Sequence, residues 1–391
     1  MKRYKISDFD TIRPYKDSEI QMVFNRLKEE EAFQTLLNYV YPDSPPNFFM
    51  DKVSKLKTIR EFQEEVISDY VKIVIKNTTQ GITFNGFENL TNDESYLYIS
   101  NHRDILLDPA ILDVLLVEKG FDTTEIAIGD NLLIYPWIID LVKLNRTFIV
   151  NRNLPAKQML ESSKRLSNYI RYTLSIKKNS IWIAQREGRS KDGTDLTQVS
   201  LLKMLNYSGI HSFVNNFMEL KIVPVSISYE YDPCDYLKAM ELLMKKKDSE
   251  YKKTSHDDLK HMGTGLRGRK GRIHYSLGKP MTDELETLQN ITVKNDQFSS
   301  LAGLIDDHIH NNYHLWENNY IAWDLLNQTS EHSDKYSAEE KNIFIAYIND
   351  HENRCNLNNN EDKEFIRTCL LEMYANPVGS KKINNQPYAP Q

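Results

Sequence analysis

The segment SYLYISNHRDILLDPAILDVLL, residues 95–116, combines a β-rich run, a polar turn and an apolar helical pattern. The run SYLYIS favours a strand, because aromatic and β-branched residues fit an extended, half-buried surface. The apolar residues that follow Pro109 recur at helical spacing, and proline is common at the first position of a helix. A strand that leads through a short turn into a helix is the building unit of an α/β fold.

Six further β-rich runs occur along the chain, and helical patterns lie between most of them. This alternation predicts an α/β sheet with helices packed on its faces. The runs are GITFNGF (81–87), IAIGD (126–130), RTFIV (146–150), SIWIAQ (180–185), KIVPVSISYEY (221–231) and IHYSLGKPM (273–281).

Helical patterns flank this core on both sides. Residues 1–80 predict a helical N-terminal region, residues 81–282 the α/β core, and residues 283–376 a helical C-terminal region. We expect residues 377–391, which begin at a proline and are largely polar, to form a disordered tail.

Composition excludes several classes of protein. The chain has 391 residues, a net charge of -6 and a pI near 6.0, so it lacks the positive field that a general nucleic-acid binder needs. Its three cysteines have spacings typical of neither a disulfide framework nor a zinc site, and a reducing cytoplasm fits best. The N-terminus MKRYKISDFD lacks the apolar run of a secretory signal.

The longest apolar run, LLIYPWIIDLVKL at 132–144, is too short to cross a bilayer. A spanning helix needs about 20 apolar residues, and Pro136 and Asp140 interrupt this shorter run. A buried core segment is the favoured interpretation. Contact with a membrane surface, or with an alkyl chain in a tunnel, is the alternative.

A histidine and carboxylates follow the first quoted strand. His102 lies in the turn, with Asp104 and Asp108 close behind it. In acyl transfer to an alcohol a base must take the hydroxyl proton, and a carboxylate behind an imidazole fixes its tautomer and stabilises the imidazolium. The structural alternative is that Asp108 caps a helix that starts at Pro109.

Two other strand ends carry arginines. Arg146 and Arg152 bracket the run TFIV, and the turn Arg186-Glu187-Gly188-Arg189 follows IWIAQ. Guanidinium groups match phosphate oxygens bidentately, and a glycine lets the backbone approach a ligand closely. Each feature alone is also compatible with solvated strand ends or an ordinary polar turn.

Taken in order, NHRDILLD (101–108), RTFIVNR (146–152), REGRS (186–190) and IVPVSISYEY (222–231) resemble the four sequence blocks of the glycerolipid acyltransferase superfamily. That superfamily includes the glycerol-3-phosphate, dihydroxyacetone-phosphate and lysophosphatidate acyltransferases. The likeness covers residues 81–282. It implies a mixed sheet flanked by helices, like that of glycerol-3-phosphate acyltransferase, with helical additions at both ends of the chain.

The resemblance also implies roles for residues. His102 would be the general base and Asp108 its orienting partner. Arg152 and the Glu187-Gly188-Arg189 turn would bind the acceptor phosphate, and the strand that contains Pro224 would contribute to the acyl-donor site. Because Pro224 removes a ladder hydrogen bond, we expect this strand to lie at an edge of the sheet or Pro224 to lie at its start.

Two departures from the family pattern leave alternatives open. The family's first block has four residues between the histidine and the aspartate, whereas five separate His102 from Asp108, so Asp104 is an alternative partner. The third block places one variable residue between glycine and arginine, whereas Arg189 follows Gly188 directly, so Arg186 is an alternative phosphate contact.

The expected activity is transfer of a fatty acyl group from acyl-coenzyme A or acyl carrier protein to glycerol-3-phosphate or 1-acyl-glycerol-3-phosphate, in phospholipid synthesis. The resemblance implies no metal, no other cofactor and no covalent enzyme intermediate. Such an enzyme would associate peripherally with the inner face of the cell membrane. The alternatives are an acyltransferase for an amino-acid lipid, a non-catalytic relative that binds acyl carrier protein or lipid headgroups, and a thioesterase.

Overall fold

A mixed sheet of seven strands lies at the centre of the computed structural model, which describes residues 5–40, 45, 48–152 and 154–384. The order across the sheet is β1-β7-β6-β2-β5-β3-β4. Each of the seven β-rich runs forms one strand, so the predicted α/β class is confirmed. The strands are β1 (Thr79–Asn85), β2 (Leu97–Ser100), β3 (Glu125–Gly129), β4 (Thr147–Val150), β5 (Ile181–Ala184), β6 (Ile222–Tyr229) and β7 (Gly271–Leu277).

Only one pair of neighbouring strands is antiparallel. β7 runs antiparallel to β6, and the other neighbours pair in parallel. All residues of β2 and β6 are buried, as is usual for inner strands that are covered on both faces. Strands β2, β5, β3 and β4 therefore share one direction and end at the same edge of the sheet.

Helices cover both faces of the sheet. Leu97 and Ile99 of β2 belong to the core on one face, and Tyr98 belongs to the core on the other, as the period of two in a strand requires. The helices around the sheet are α5 (Ser68–Thr78), α6 (Leu107–Glu118), α7 (Pro136–Leu144), α8 (Ala156–Tyr172), α9 (Val199–Asn206), α10 (Phe213–Met218), α11 (Asp235–Lys247), α12 (Ser255–Arg267), α13 (Asp283–Thr287) and α14 (Lys294–Asn311).

Further helices precede and follow the sheet. The N-terminal ones are α1 (Ile20–Lys28), α2 (Glu31–Val40), α3 (Phe48–Val53) and α4 (Ile59–Phe62), and the C-terminal ones are α15 (Glu317–Asn327), α16 (Ala338–Asn353) and α17 (Asn360–Asn384). Helix α17 continues through Pro377 to Asn384. The predicted disordered tail is therefore corrected over residues 377–384, and residues 385–391 lie outside the described part.

Pro224 does not lie at a sheet edge, which was one of the two predicted positions, but near the start of an inner strand. It is the third residue of β6, which has β2 on one side and β7 on the other. The ladder between β6 and β7 begins at Val225, and the carbonyl of Pro224 accepts a hydrogen bond of 2.9 Å from Gly278 N, just after the end of β7. The N–H and the C=O of a strand residue point toward the same neighbouring strand. The N–H that Pro224 lacks would therefore point toward a position beyond the end of β7, where no ladder hydrogen bond is lost.

The apolar run at 132–144 divides into two parts. Its second half belongs to α7, where Leu144 is buried and Asp140 accepts hydrogen bonds from Tyr15 and Arg26. Its first half is less covered, with Tyr135 41% exposed. Within the described residues no helix combines the length and the apolar character needed to cross a bilayer.

Candidate active site

The carboxyl ends of four parallel strands meet beside one cleft. His102 follows β2, Gly129 ends β3, Arg152 follows β4, and the turn 186–189 follows β5. In open α/β sheets ligands bind in the crevice outside the carboxyl ends of the strands. The sequence placed these chemical groups at strand ends, and the parallel order of the sheet brings them together.

The cleft has a volume of about 750 Å³ and two kinds of wall. Apolar side chains line one part of it, among them Ile105, Leu106, Pro109, Ile128, Leu132 and Val142. Cations predominate elsewhere and comprise Arg152, Arg186, Arg189, Lys191, Lys238, Lys245, Lys252 and Lys253, against the acids Glu187, Asp192, Glu241 and Asp258. The cleft therefore suits a ligand that has both an apolar chain and an anionic group.

His102 and Asp108 form a hydrogen-bonded pair. The Nδ1 atom of His102 lies 2.8 Å from Oδ2 of Asp108, with side chains that are 13% and 0% exposed. The same oxygen accepts the backbone N–H groups of Arg103 at 2.6 Å and Asp104 at 3.0 Å. Because this oxygen is an acceptor, Nδ1 carries the ring proton and Nε2 is the nitrogen left for a ligand in the cleft.

Asp104, the alternative partner, has a different position. Its Oδ1 accepts the N–H groups of Leu106 and Leu107, each at 2.9 Å, at the start of α6. The helix thus begins at Leu107, two residues before the predicted start, and Asp104 closes the turn ahead of it. The extra residue between histidine and aspartate is absorbed in the turn at Ile105 and Leu106.

Asp104 is also crowded and desolvated. Burial and the nearby Asp108 carboxylate raise its pKa above the ordinary value. Helix α12 packs directly against it, since a Cβ on Gly265 would stand 2.1 Å from Asp104 Oδ2. The structure therefore brings Asp108, and not Asp104, to His102.

Aromatic residues surround the pair. The ring of Trp182 in β5 meets the His102 imidazole edge-on, with centroids 5.5 Å apart. The hydroxyl of Tyr275 in β7 donates to the backbone carbonyl of Asp108 at 3.0 Å. Both Asp108 Oδ1 and the Tyr229 hydroxyl are buried without a hydrogen-bond partner in the described part of the chain. Burial and the neighbouring Asp108 raise the pKa of Tyr229 well above its usual value, so the phenol stays protonated.

The first candidate phosphate ligand is Arg152. Its Nη1 lies 3.3 Å from Glu187 Oε1, and its backbone N–H donates to Asp130 Oδ1 at 3.2 Å. Gly129 leaves space for this guanidinium, because a Cβ there would stand 2.5 Å from Arg152 Nε. Arg152 is thus fixed at the end of β4 while its side chain lines the cleft.

Arg189 and Arg186 both line the cleft as well. Arg189 is 7% exposed, and its Nη2 donates to Nδ1 of His261 at 2.6 Å. Burial, followed by the Arg189 charge, lowers the pKa of His261 to about 3, so the imidazole accepts as a neutral ring. Among the described residues, Nη1 of Arg189 and Nε of Arg186 have no hydrogen-bond partner. Both arginines therefore keep donors for an anion.

The remaining predicted site residues separate into two groups. Glu187 and Gly188 line the cleft, and Gly188 has a left-handed φ of +72° in the turn after β5. Arg146 does not line it, because its guanidinium binds Asp122 at 2.9 Å and Thr123. Pro224 lies inside β6 and does not line it either.

Sequence reasoning missed one wall of the cleft. The lysine-rich stretch after residue 244 contains no β-rich run and none of the four sequence blocks, yet Lys245, Lys252 and Lys253 line the cleft. The density of lysines was the available signal. Tyr229 and Tyr275 were also missed, although Tyr229 lies within the fourth sequence block.

A hydrogen-bonded histidine and aspartate beside arginines, at the carboxyl ends of a largely parallel sheet, are the groups that acid-base catalysis on an anionic substrate requires. Residues 81–228 match the family model described as Acyltransferase. This part of the chain is therefore similar to the Acyltransferase family, in agreement with the order of the four sequence blocks.

One solved structure similar to this chain is that of the 1-acyl-sn-glycerophosphate (LPA) acyltransferase PlsC from Thermotoga maritima. The identity is 11% and the TM-score 0.38, over 75% of this chain and 95% of that one. No curated protein matched the sequence.

Proposed function

We propose that this chain is an O-acyltransferase that moves a fatty acyl group from acyl-coenzyme A or acyl carrier protein to glycerol-3-phosphate or 1-acyl-sn-glycerol-3-phosphate, in the synthesis of phosphatidate. The observation that carries the proposal is the contact of His102 Nδ1 with the buried Asp108, 2.8 Å long, in a cleft that also contains Arg152 and Arg189.

The chemical step uses His102 as a base. Its Nε2 takes the proton of the acceptor hydroxyl while the hydroxyl oxygen attacks the thioester carbonyl carbon. A carbon–oxygen bond forms, the carbon–sulfur bond breaks, and the thiolate leaves and receives the proton from the imidazolium. Asp108 stabilises the imidazolium between these events. The step needs neither a metal nor another cofactor.

The arginines at the strand ends bind the acceptor phosphate. Arg152 follows β4, while Arg186 and Arg189 follow β5, so guanidinium groups approach the cleft from neighbouring strand ends. Charge-assisted hydrogen bonds from guanidinium groups to phosphate are among the strong polar contacts in proteins. The donors that Arg186 and Arg189 leave unpaired in the described part of the chain support this role.

The apolar wall receives the acyl chain. Ile105 and Leu106 lie in the turn next to His102, and Ile128 and Leu132 continue the wall along β3 and the segment after it. Leu132 leads to the exposed Tyr135 and Pro136. We assign this stretch to peripheral contact with the inner face of the cell membrane, where an acyl substrate would enter the cleft.

An acyl-transfer assay tests the proposal. Purified protein is offered palmitoyl-coenzyme A or palmitoyl carrier protein, with glycerol-3-phosphate and 1-acyl-glycerol-3-phosphate in separate reactions, and products are identified by mass. We expect one new ester, on one of these acceptors. Release of free palmitate at the same rate with and without acceptor would identify a thioesterase instead. Donor binding without thioester cleavage would contradict catalysis.

A further inference from the structure

Four lysines line the part of the cleft that is formed by α11, by the segment after it and by the loop after β5. They are Lys191, Lys245, Lys252 and Lys253, called here the lysine wall. Three of them lie beyond residue 228, where the match to the family model ends. The wall is thus largely supplied by a part of this chain outside the four sequence blocks.

A buried carboxylate organises the lysine wall. Glu241 of α11 is 5% exposed, and its Oε1 contacts Lys191 and, at 3.1 Å, Lys245. Its Oε2 lies 4.0 Å from Lys253, which also binds Asp258 at 2.6 Å. Three ammonium groups therefore share one buried carboxylate, and burial lowers the pKa of Lys191 to about 8. The three lysines therefore carry more positive charge than Glu241 and Asp258 neutralise.

Lys252 adds a further charge. It is exposed and lines the cleft, and in the described part of the chain it takes part in none of the ion pairs of its neighbours. Its ammonium group is available to a ligand without breaking a protein contact. A flexible lysine is well suited to a phosphate whose position changes as the ligand turns over.

We infer that the lysine wall binds the phosphates of coenzyme A in the acyl donor, an assignment that rests on the proposed function. An acceptor of the glycerol-phosphate type carries one phosphate, for which the strand ends already supply Arg152, Arg186 and Arg189. The lysine wall is a second cationic cluster in the same cleft, so it can bind a second anionic group. Coenzyme A carries a diphosphate and a 3′-phosphate, which match several separated ammonium groups.

The number of charges favours coenzyme A over acyl carrier protein. All four lysines line the cleft that also holds His102, and two of them, Lys245 and Lys252, are exposed. The phosphopantetheine arm of a carrier would place one phosphodiester in the cleft, which uses fewer of these charges.

The test measures ligand binding by calorimetry and, in parallel, acyl transfer from palmitoyl-coenzyme A and palmitoyl carrier protein by the same proteins. Calorimetry measures the binding of coenzyme A, 3′-dephospho-coenzyme A and pantetheine to the parent protein and to the double variant Lys245→Gln/Lys252→Gln. This variant keeps the contacts of Lys191 and Lys253 with Glu241. A double variant with the same charge change, Lys28→Gln/Lys157→Gln, serves as control, since both lysines are exposed outside the cleft. We expect coenzyme A to bind about tenfold more weakly to the cleft variant, with less effect at high salt.

The outcomes distinguish binding of coenzyme A phosphates by the lysine wall from the alternatives. A smaller loss for 3′-dephospho-coenzyme A and none for pantetheine supports phosphate recognition. Equal coenzyme A affinity in all three proteins overturns it, as does a variant in which only the KM of the acceptor rises. Loss of transfer from palmitoyl carrier protein with unchanged coenzyme A binding assigns the wall to the carrier and also overturns it. If lysine-dependent binding is found but neither acceptor is esterified, the proposed function fails while the donor site stands.

Discussion

Nδ1 of His102 lies 2.8 Å from Oδ2 of Asp108, although five residues separate them in the sequence. The contact is possible because Asp104 holds the turn at Ile105 and Leu106, which brings the first turn of α6 back toward the end of β2. Asp104 therefore shapes the turn, and Asp108 orients the imidazole of His102.

These two carboxylates should respond differently to the same substitution. Asp108→Asn removes the acceptor that fixes the tautomer, and we expect kcat to fall by about 10³-fold to 10⁴-fold with little change in KM. Asp104→Asn keeps an oxygen for the two backbone N–H groups, so its effect should appear mainly as a small loss of stability. Steady-state kinetics and urea unfolding of both variants provide the comparison. A larger loss of kcat in Asp104→Asn would reverse the assignment.

Tyr229 should act as a positioning residue for Asp108. Its phenol and Asp108 Oδ1 are both buried without a hydrogen-bond partner in the described part of the chain, and Asp108 contributes to the raised pKa of the phenol. Tyr229→Phe should lower kcat by roughly tenfold to 100-fold, because one hydrogen bond to a charged group contributes about 1.5–3 kcal/mol, and it should alter the pH dependence of kcat. Tyr336→Phe removes a hydroxyl bonded to Asp324 in the C-terminal helices and serves as control. Identical kinetics in the two variants would refute the positioning role.

Gly129 should be required for the position of Arg152. A Cβ at this residue would stand 2.5 Å from both Arg152 Nε and Asn131 Oδ1. Gly129→Ala should therefore raise the KM of the acceptor by about tenfold, the equivalent of roughly 1.4 kcal/mol of lost phosphate binding, and leave the KM of the donor nearly unchanged. In Gly303→Ala the added Cβ meets nothing within 4 Å, so this helical control should keep parental kinetics. Parental KM values in Gly129→Ala would contradict the role of Arg152.

The pH dependence of stability should contain a term from His261. Its pKa is lowered to about 3, below the value of 6.5 for an unperturbed histidine, so the unfolded chain gains a proton that the folded chain does not bind. The contribution of this residue to stability is present at pH 7 and falls by about 2 kcal/mol by pH 5.

His261→Gln keeps an acceptor for Arg189 and removes this titration. Urea unfolding at pH 7 and pH 5 should show that the loss of stability between the two conditions is smaller in His261→Gln than in the parent. His256→Gln, on the exposed side of the same helix, should behave like the parent. The account of His261 is wrong if the pH dependence of His261→Gln equals that of the parent.

The strands could be predicted from the sequence because the residues that favour each strand lie together in one short run. Seven β-rich runs became seven strands, and those that end at His102, Arg152 and Arg186 were placed correctly. Strand order depends on contacts between distant segments, which no single run contains. Pro224 illustrates this limit, because its missing N–H is harmless only where β7 has already ended.

The site was predictable where its residues follow strands. His102, Arg152 and the turn at 186–189 all line the cleft, since parallel strands end at a common edge. Arg146 looked equivalent to Arg152 in sequence, yet it precedes its strand and binds Asp122 at the opposite end. Lys252 and Lys253 come from a segment without a strand, and only the folded chain brings them to the cleft.

The most direct measurement is acyl transfer by His102→Ala, with folding checked by circular dichroism and donor binding by calorimetry. His211→Ala, at an exposed histidine outside the cleft, is the control. We predict that His102→Ala retains the fold and the donor affinity but loses ester formation by at least about 10³-fold, because no base takes the hydroxyl proton. Turnover within a few-fold of the parent in a folded His102→Ala protein would contradict the mechanism.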